Sequence, residues 1–221
     1  GYQAMQLTTS GDLNSSFGWK SLASNTTGTS NTSVGAFSLN NIISGSFNVA
    51  CGTSALLSSI TASYNCALGV QSLFQTTTGQ YNASVGFQSL GSNISGSSNA
   101  SLGYRAGYNQ TTINNCLFLG YQADASINNL TNAIAIGYQS SVGASNCMVL
   151  GGTGVNAIFV GIGVTPNGQF QLSNTLSNRK IVLYETANND HQIHSLGINT
   201  GVFRFQLDST VSNFIFYAAL G

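Results

Sequence analysis

The sequence predicts an all-β protein, a parallel β-roll or solenoid of 17-residue coils followed by a small β-rich C-terminal domain. Three observations carry that expectation. Glycine recurs every 17 residues, at Gly1, Gly18, Gly35, Gly52, Gly69, Gly86, Gly103, Gly120 and Gly137, and a fixed period of this size means one small unit stacked on itself. The residues ahead of each glycine alternate in polarity with a period of two, the mark of a strand. A second glycine column, ten residues on, makes a helix a poor fit, because each glycine costs about 1 kcal/mol in a helix interior.

The strand comes first. The residue before the glycine is apolar, as in Phe17, Val34, Cys51, Leu68, Val85, Leu102, Leu119 and Ile136, and Val49, Cys66, Leu117 and Ile134 stand two places earlier. Small residues lie between them, Ser16, Ser33, Ala50, Ala67, Ser84, Ser101 and Ala135 among them. One face of this strand is expected to be buried. Four residues before the glycine stands Asn14, Asn31, Asn48, Asn65, Asn82 or Asn99, and at Asn115 and Asn132 the asparagine moves one place earlier. Asparagine at a strand entrance can bond its own backbone, and in a stack identical side chains can bond one another.

After the glycine an aromatic is common (Tyr2, Trp19, Phe87, Tyr104, Tyr121, Tyr138), then glutamine (Gln3, Gln71, Gln88, Gln122, Gln139), a small residue, and leucine or methionine (Met5, Leu22, Leu39, Leu56, Leu73, Leu90). Gly11, Gly28, Gly45, Gly79 and Gly96 mark the other turn, with Ala62 the exception. Each unit therefore reads as strand, glycine turn, short strand, polar loop, glycine turn. Coils about 4.8 Å apart give a rod roughly 45 Å long. Three or four inward apolar positions per coil make a thin core. The leucine and aromatic positions then form a second apolar set that needs covering, so identical chains are expected to associate, most simply three around an axis.

Composition narrows the function. Hydrophobic residues make up 42% and charged residues 5%, with five Lys/Arg against five Asp/Glu. Ordinary domains carry roughly 25% charge. A neutral, charge-poor surface has no pull on nucleic acid or anionic membrane and offers trypsin-like proteases few sites. No apolar stretch approaches the roughly 18 residues of a membrane helix, so no membrane insertion is expected. No signal peptide is visible, and the chain opens inside a repeat, which predicts further sequence N-terminal to Gly1. Cys51, Cys66, Cys116 and Cys147 fall at irregular spacings. They match neither a metal knuckle nor a disulfide framework, and buried free thiols are expected.

Units such as Asn82-Ala-Ser-Val-Gly86-Phe-Gln-Ser-Leu90 and Asn132-Ala-Ile-Ala-Ile-Gly137-Tyr-Gln-Ser140 resemble the head repeats of trimeric autotransporter adhesins of the YadA-like kind. The resemblance covers residues 1–162 and implies a left-handed β-roll with three chains in a tight trimer. The unit here is longer than is typical of that family, and only the Gly137–Gly151 interval falls to 14. Val160-Gly-Ile-Gly-Val-Thr-Pro166-Asn-Gly-Gln-Phe-Gln-Leu-Ser173, and segments from Asn178 to His191 and from Asp208 to Tyr217, resemble phage and large-DNA-virus fibre proteins. In that family a trimerisation chaperone often follows.

The 17-residue register ends after Gly137, and Pro166 lies where the backbone would leave the stack. The predicted organisation is a shaft over 1–162, a junction over 163–178 and a cap over 179–221. Six of the ten charges and both histidines lie in the last segment. Strands are expected at 181–184, 202–207 and 214–218, with turns at Asn188-Asn189-Asp190 and Asn199-Thr200-Gly201. An open solenoid end is a sticky edge that a cap would cover.

No catalytic, cofactor or metal site is expected. His191 and His194 would project from opposite faces of a strand; on a three-fold axis one per chain could still supply three nitrogens, but a structural role is the expectation. Glu185, Asp190 and Asp208 could pair as a glycan hydrolase, though ion pairs with Arg179, Lys180 or Arg204 are more ordinary. Gly151-Gly-Thr-Gly154 lacks the lysine and helix of a phosphate loop. Glycosylation sequons fall at Asn14, Asn25, Asn31, Asn82, Asn93, Asn99, Asn109 and Asn129, no more than composition explains, and Asn25, Asn93 and Asn109 are the expected carriers if any are used. Exposed tyrosines and amides could bind glycans, but packing between coils or chains is the expected role of the aromatics. The functional expectation is a rigid homotrimeric rod on a virion surface, attaching a virus or phage to a host cell-surface glycan or protein receptor. The alternative is the head of a bacterial trimeric adhesin at the bacterial cell surface.

Overall fold

The computed structural model describes residues 1–152 and, beyond them, the backbone of strands at 160–162, 170–172, 177–185, 193–199 and 202–206. The chain divides into two compact units, Gly1–Ile158 and Phe159–Gly221. Every described regular element is a strand.

The first unit is the expected parallel β-solenoid. Its main sheet holds β1 (Ser15–Phe17), β2 (Thr32–Val34), β3 (Val49–Cys51), β4 (Cys66–Leu68), β5 (Ala83–Val85), β6 (Ala100–Leu102), β7 (Leu117–Leu119), β9 (Ile134–Ile136) and β11 (Met148–Leu150), paired in that order. Register is kept from coil to coil: Ala50 opposes Ser33 on one side and Ala67 on the other. The backbone bonds continue beyond the strands. Gly52 donates to Val34 O at 2.8 Å and Leu56 to Ser72 O at 3.0 Å, so the turns stack as the strands do. A second, two-stranded parallel sheet, β8 (Asp124–Ala125) with β10 (Ser141–Val142), forms late in the stack.

The glycine columns follow from how closely coils approach. A Cβ on Gly69 would lie 2.4 Å from Gly86 O, and the same clash with the next periodic glycine recurs from Gly1 to Gly120. From Gly18 to Gly137 these residues also hold φ between 123° and 145°, a region L side chains rarely enter. In the second column the constraint is proximity alone: a Cβ on Gly45 would meet Ala62 O at 2.0 Å, yet φ is unremarkable. Ala62 stands in this column without the φ constraint of the first.

Each regular coil also contains three non-glycine residues in the left-handed region, at positions five before and two and four after the periodic glycine. In one coil these are Tyr64, Gln71 and Leu73, with φ of 59°, 57° and 51°. Such a residue costs roughly 1–2 kcal/mol, offset here by the ladders that the bent backbone brings into line.

Which face of the strand is buried corrects the sequence expectation. From β2 to β7 the middle residue points inward and its neighbours outward. Ser33, Ala50, Ala67, Ser84, Ser101 and Phe118 are buried, while Val34, Leu68, Val85, Leu102 and Leu119 are exposed. The leucines that were expected to need covering are the core: Leu22, Leu39, Leu56, Leu73 and Leu90 are fully buried. Each contributes about 2 kcal/mol by leaving water. The interior is too narrow for two facing rows of large side chains, so leucine on one wall meets serine or alanine on the other. The inward serines bond one another, Ser21 Oγ to Ser33 Oγ at 2.8 Å and Ser33 to Ser38 at 2.5 Å, so that small polar residues are buried without cost.

In the second unit β12 (Val160–Ile162) pairs in parallel with β13 (Phe170–Leu172), and β14 (Ser177–Glu185), β15 (Ile193–Asn199) and β16 (Val202–Gln206) form an antiparallel sheet. The strands expected at 181–184 and 202–207 lie within or largely within β14 and β16; the one expected at 214–218 lies outside the described residues, as does the turn at 188–190. β15 was not anticipated, since its segment carries a histidine and a glycine.

Two substitutions test the close-approach and left-handed constraints. Gly69→Ala is expected to cost about 3 kcal/mol or more, by strain and overpacking together. Ser98, exposed at φ 59°, should tolerate glycine without loss, whereas Ser98→Val should cost about 1 kcal/mol. Urea denaturation at fixed protein concentration measures all three; a neutral Gly69→Ala would contradict the coil geometry.

Candidate functional site

The asparagine column is structural. Asn48 accepts at Oδ1 from Asn65 N at 3.0 Å and Asn65 Nδ2 at 3.2 Å, and its own Nδ2 donates to Asn31 Oδ1 and to Ala62 O. Asn14, Asn31, Asn65, Asn82 and Asn99 repeat the motif, tying each strand entrance to the far turn of the following coil. Aspartate could not replace it: the donor would vanish and like charges would stack. The ladder ends where Cys116 N donates to Asn99 Oδ1, because the asparagine has moved to Asn115, itself left-handed at φ 55°.

The aromatics stack along the axis. Phe87, Tyr104, Tyr121 and Tyr138 form one column with centroids 5.0–5.6 Å apart, and Phe47, Tyr64 and Tyr81 another at 5.0 Å. Ring faces inside each column are therefore used by neighbouring coils, as expected. Asn25 and Asn93, two of the expected glycan carriers, are fully buried. Each accepts the amide of the glycine three residues on, Gly28 or Gly96, at 3.0 Å. Asn109 is exposed but donates Nδ2 to Asp124 Oδ2 at 2.7 Å.

All four cysteines are free. Their expected burial holds for Cys116; Cys66 and Cys147 are half-buried, and Cys51 is exposed, because it sits on the outward edge of β3. Burial pushes the Cys66 and Cys116 thiols above their ordinary range, which suppresses thiolate. Glu185 lies on β14 opposite Ile193, and His194 on β15 opposite Tyr184; His191, Asp190 and Asp208 lie outside the described residues. Among the described residues no cluster of His, Cys, Asp and Glu could hold a metal ion, and no helix is long and apolar enough to cross a membrane.

Two features stand out from the repeat. The first is the outer face of the main sheet. Its two outward rows carry Phe17 at 75% exposure, Leu102 at 51% and Met148 at 54%, with Val34, Val49, Leu68, Val85, Leu119 and Leu150 between 37% and 41%. No charged residue interrupts these rows. Apart from Ser15 and Thr32 at its first two coils the face is apolar, far beyond a scatter of single surface hydrophobes.

The second feature is a cavity of about 350 Å³ lined by Arg105, Tyr108, Asn109, Gln122, Asp124 and Gln139. It arises where the leucine column fails. Gly107 takes the place of leucine, and Phe118 on the opposite wall fills the space: a Cβ on Gly107 would lie 2.8 Å from the Phe118 ring. In the next coil Asp124 takes the leucine position, and the backbone leaves the left-handed turn to form β8. The Asp124 carboxylate is buried and accepts from Asn109 N at 3.1 Å, Asn109 Nδ2 and Ala125 N at 2.8 Å. Gln110 donates to Ala125 O at 2.5 Å and leaves its Oε1 unpartnered among the described residues. Desolvation raises the Asp124 pKa above the usual carboxylate range, and the amide bonds pull it partly back. The sequence signal for this site is the phase of Asp124 in the repeat, a charge at a leucine position.

No protein-family model, curated protein or solved structure matches this chain.

The raised Asp124 pKa has a signed consequence. The folded state holds this proton more tightly than the unfolded state, so the contribution of Asp124 to stability is greatest in acid and declines as pH rises from the ordinary carboxylate pKa through the folded one. The stability of the parent chain relative to Asp124→Asn is expected to fall across that window and level off above it. Paired urea denaturation from pH 3 to pH 8 checks the slope; a difference that grows with pH would contradict it.

Proposed function

We propose that this chain is the shaft and cap of a homotrimeric attachment fibre, carried on the surface of a virus or phage and reaching a host cell-surface glycan or protein receptor. The observation that carries the reading is the uncharged apolar outer face of the main sheet. Its occupant in this reading is the same face of two further copies. Both rows repeat along the axis with the same small set of side chains, so a copy laid alongside in register meets matching chemistry at every coil. A partner of another kind would have to repeat at the coil spacing to do so. The depth of the interior supports the same reading: one leucine row and a serine-rich wall per chain leave the outward rows as the largest remaining source of burial.

Virion placement rests on the resemblance of the tail beyond Val160 to fibre proteins and on the poverty of charge. The chain then works by reach, rigidity and three-fold avidity rather than by chemistry.

Sedimentation equilibrium is expected to return three times the 22.9 kDa of one chain. Leu68→Glu combined with Val85→Glu should dissociate the assembly, since adjacent coils would present a stacked pair of buried charges. A parent chain that is monomeric at micromolar concentration overturns the trimer.

A further inference from the structure

Two residues past the periodic glycine runs an amide ladder in which each side chain donates to the preceding coil. Gln88 Nε2 donates to Gln71 Oε1 at 2.7 Å, and Gln139 Nε2 to Gln122 Oε1 at 3.1 Å. Arg105 interrupts it. Its Nε donates to Gln88 Oε1 at 2.7 Å, but a guanidinium has no acceptor to offer Gln122 in the following coil. Donors therefore meet donors across that gap, and the gap is the wall of the 350 Å³ cavity. Arg105 is held in place there: its guanidinium carbon lies 5.5 Å from the Tyr104 ring centroid and 4.9 Å from that of Tyr108. With Nε bonded to Gln88, the terminal N–H donors are left for what the cavity holds. A smaller hollow of about 100 Å³, lined by Gln71, Phe74, Gln75, Gln88 and Gly91, shares Tyr108 with it.

The opposite wall is Asp124. No cation acts on its carboxylate; its partners are the amides of Asn109, Gln110 and Ala125. Arginine and aspartate thus share one cavity without neutralising each other directly. A compact inorganic anion on Arg105 would sit in the field of Asp124. A ligand with a carboxylate at one end and hydroxyls along its body fits both walls: acceptors toward Arg105 and Gln122, hydroxyl donors toward Asp124 and the amide oxygens. The cavity is of ligand size.

We propose that this cavity binds an acidic saccharide, the carboxylate of a uronic or sialic acid residue pairing with Arg105. This deepens the attachment reading and rests on it for its biological sense, but the chemistry is local to one chain.

The experiment uses the full chain and the variant Arg105→Gln, which restores the residue type of the column and should leave the thermal transition unchanged or raised. Binding of 3′-sialyllactose and tri-galacturonate is titrated by saturation-transfer NMR and calorimetry, with lactose, maltotriose and sodium sulfate alongside. The expected result is binding of at least one acidic saccharide, at least tenfold weaker neutral counterparts and sulfate, and at least tenfold loss in Arg105→Gln. No binding of either acidic saccharide, equal binding of neutral ones, tighter binding of sulfate, or an unaffected Arg105→Gln each overturns the site. A trimer that adheres to cells equally well with Arg105→Gln would remove this site and leave the fibre reading intact; a monomer that binds the saccharide through Arg105 would do the reverse.

Discussion

Everything in the first unit depends on one constraint: each coil must present its backbone to the next in the same conformation, so that amides and carbonyls pair turn after turn. Glycine is required at the periodic positions, where that pairing brings the next backbone close to a would-be Cβ and also holds φ positive. Left-handed residues are tolerated in every coil because their strain is the same in each, and relieving it in one would break bonds to two neighbours. The asparagine ladder is the same constraint applied to a side chain, since its amide can both donate to and accept from its own copy.

The poverty of charge follows from the same geometry. A charged residue placed in a column would face its copy about 4.8 Å away. Two like charges at that distance cost close to 1 kcal/mol in water and about 3–4 kcal/mol at the effective dielectric near a protein surface. Repeated over eight or nine coils such a column could not persist. The charges of the described coils accordingly occur singly: Asp12 and Asp124 in different columns, Lys20 and Arg105 in one column but five periods apart. A charge-poor composition is, in the first place, a condition of stacking.

The period, both glycine columns, the asparagine ladder and the parallel order of strands were legible in the sequence because each is imposed identically on every coil. The inward face was not. Val34 and Ser33 differ in polarity in the direction that ordinarily puts valine inside, but a coil this narrow admits leucine from one wall and only serine or alanine from the other. Nor could the left-handed turns be read, since glutamine, leucine and tyrosine carry no signal for them; Gln71 and Leu73 bend because their neighbours' hydrogen bonds require it. β15 was missed because its histidine and glycine weaken a strand signal that pairing with β14 and β16 overrides. Arg105 and Asp124 were visible as residues but not as neighbours, because 19 positions of sequence separate them and only the stacking of coils closes that distance.

A shaft made of equivalent coils has no way to recognise one place on a ligand over another, since every position is offered eight or nine times. Selectivity needs a departure from the repeat. The Gly107 and Phe118 exchange shows one kind, in which volume moves from one wall to the other and the stack closes again. Asp124 is another kind. Its charge cannot be packed against Leu90 or Phe118, so the turn opens into β8, Asn109 and Ala125 come in to hold the carboxylate, and the space left beside Arg105 is not refilled. Uniformity and its interruption then divide the work: the repeating outer face supplies a surface on which copies can match, and the interrupted coils supply the Arg105 and Asp124 cavity. In the proposed trimer, three such cavities would gain through effective concentration what each lacks in affinity, so that an individually weak polar site would suffice for the proposed attachment.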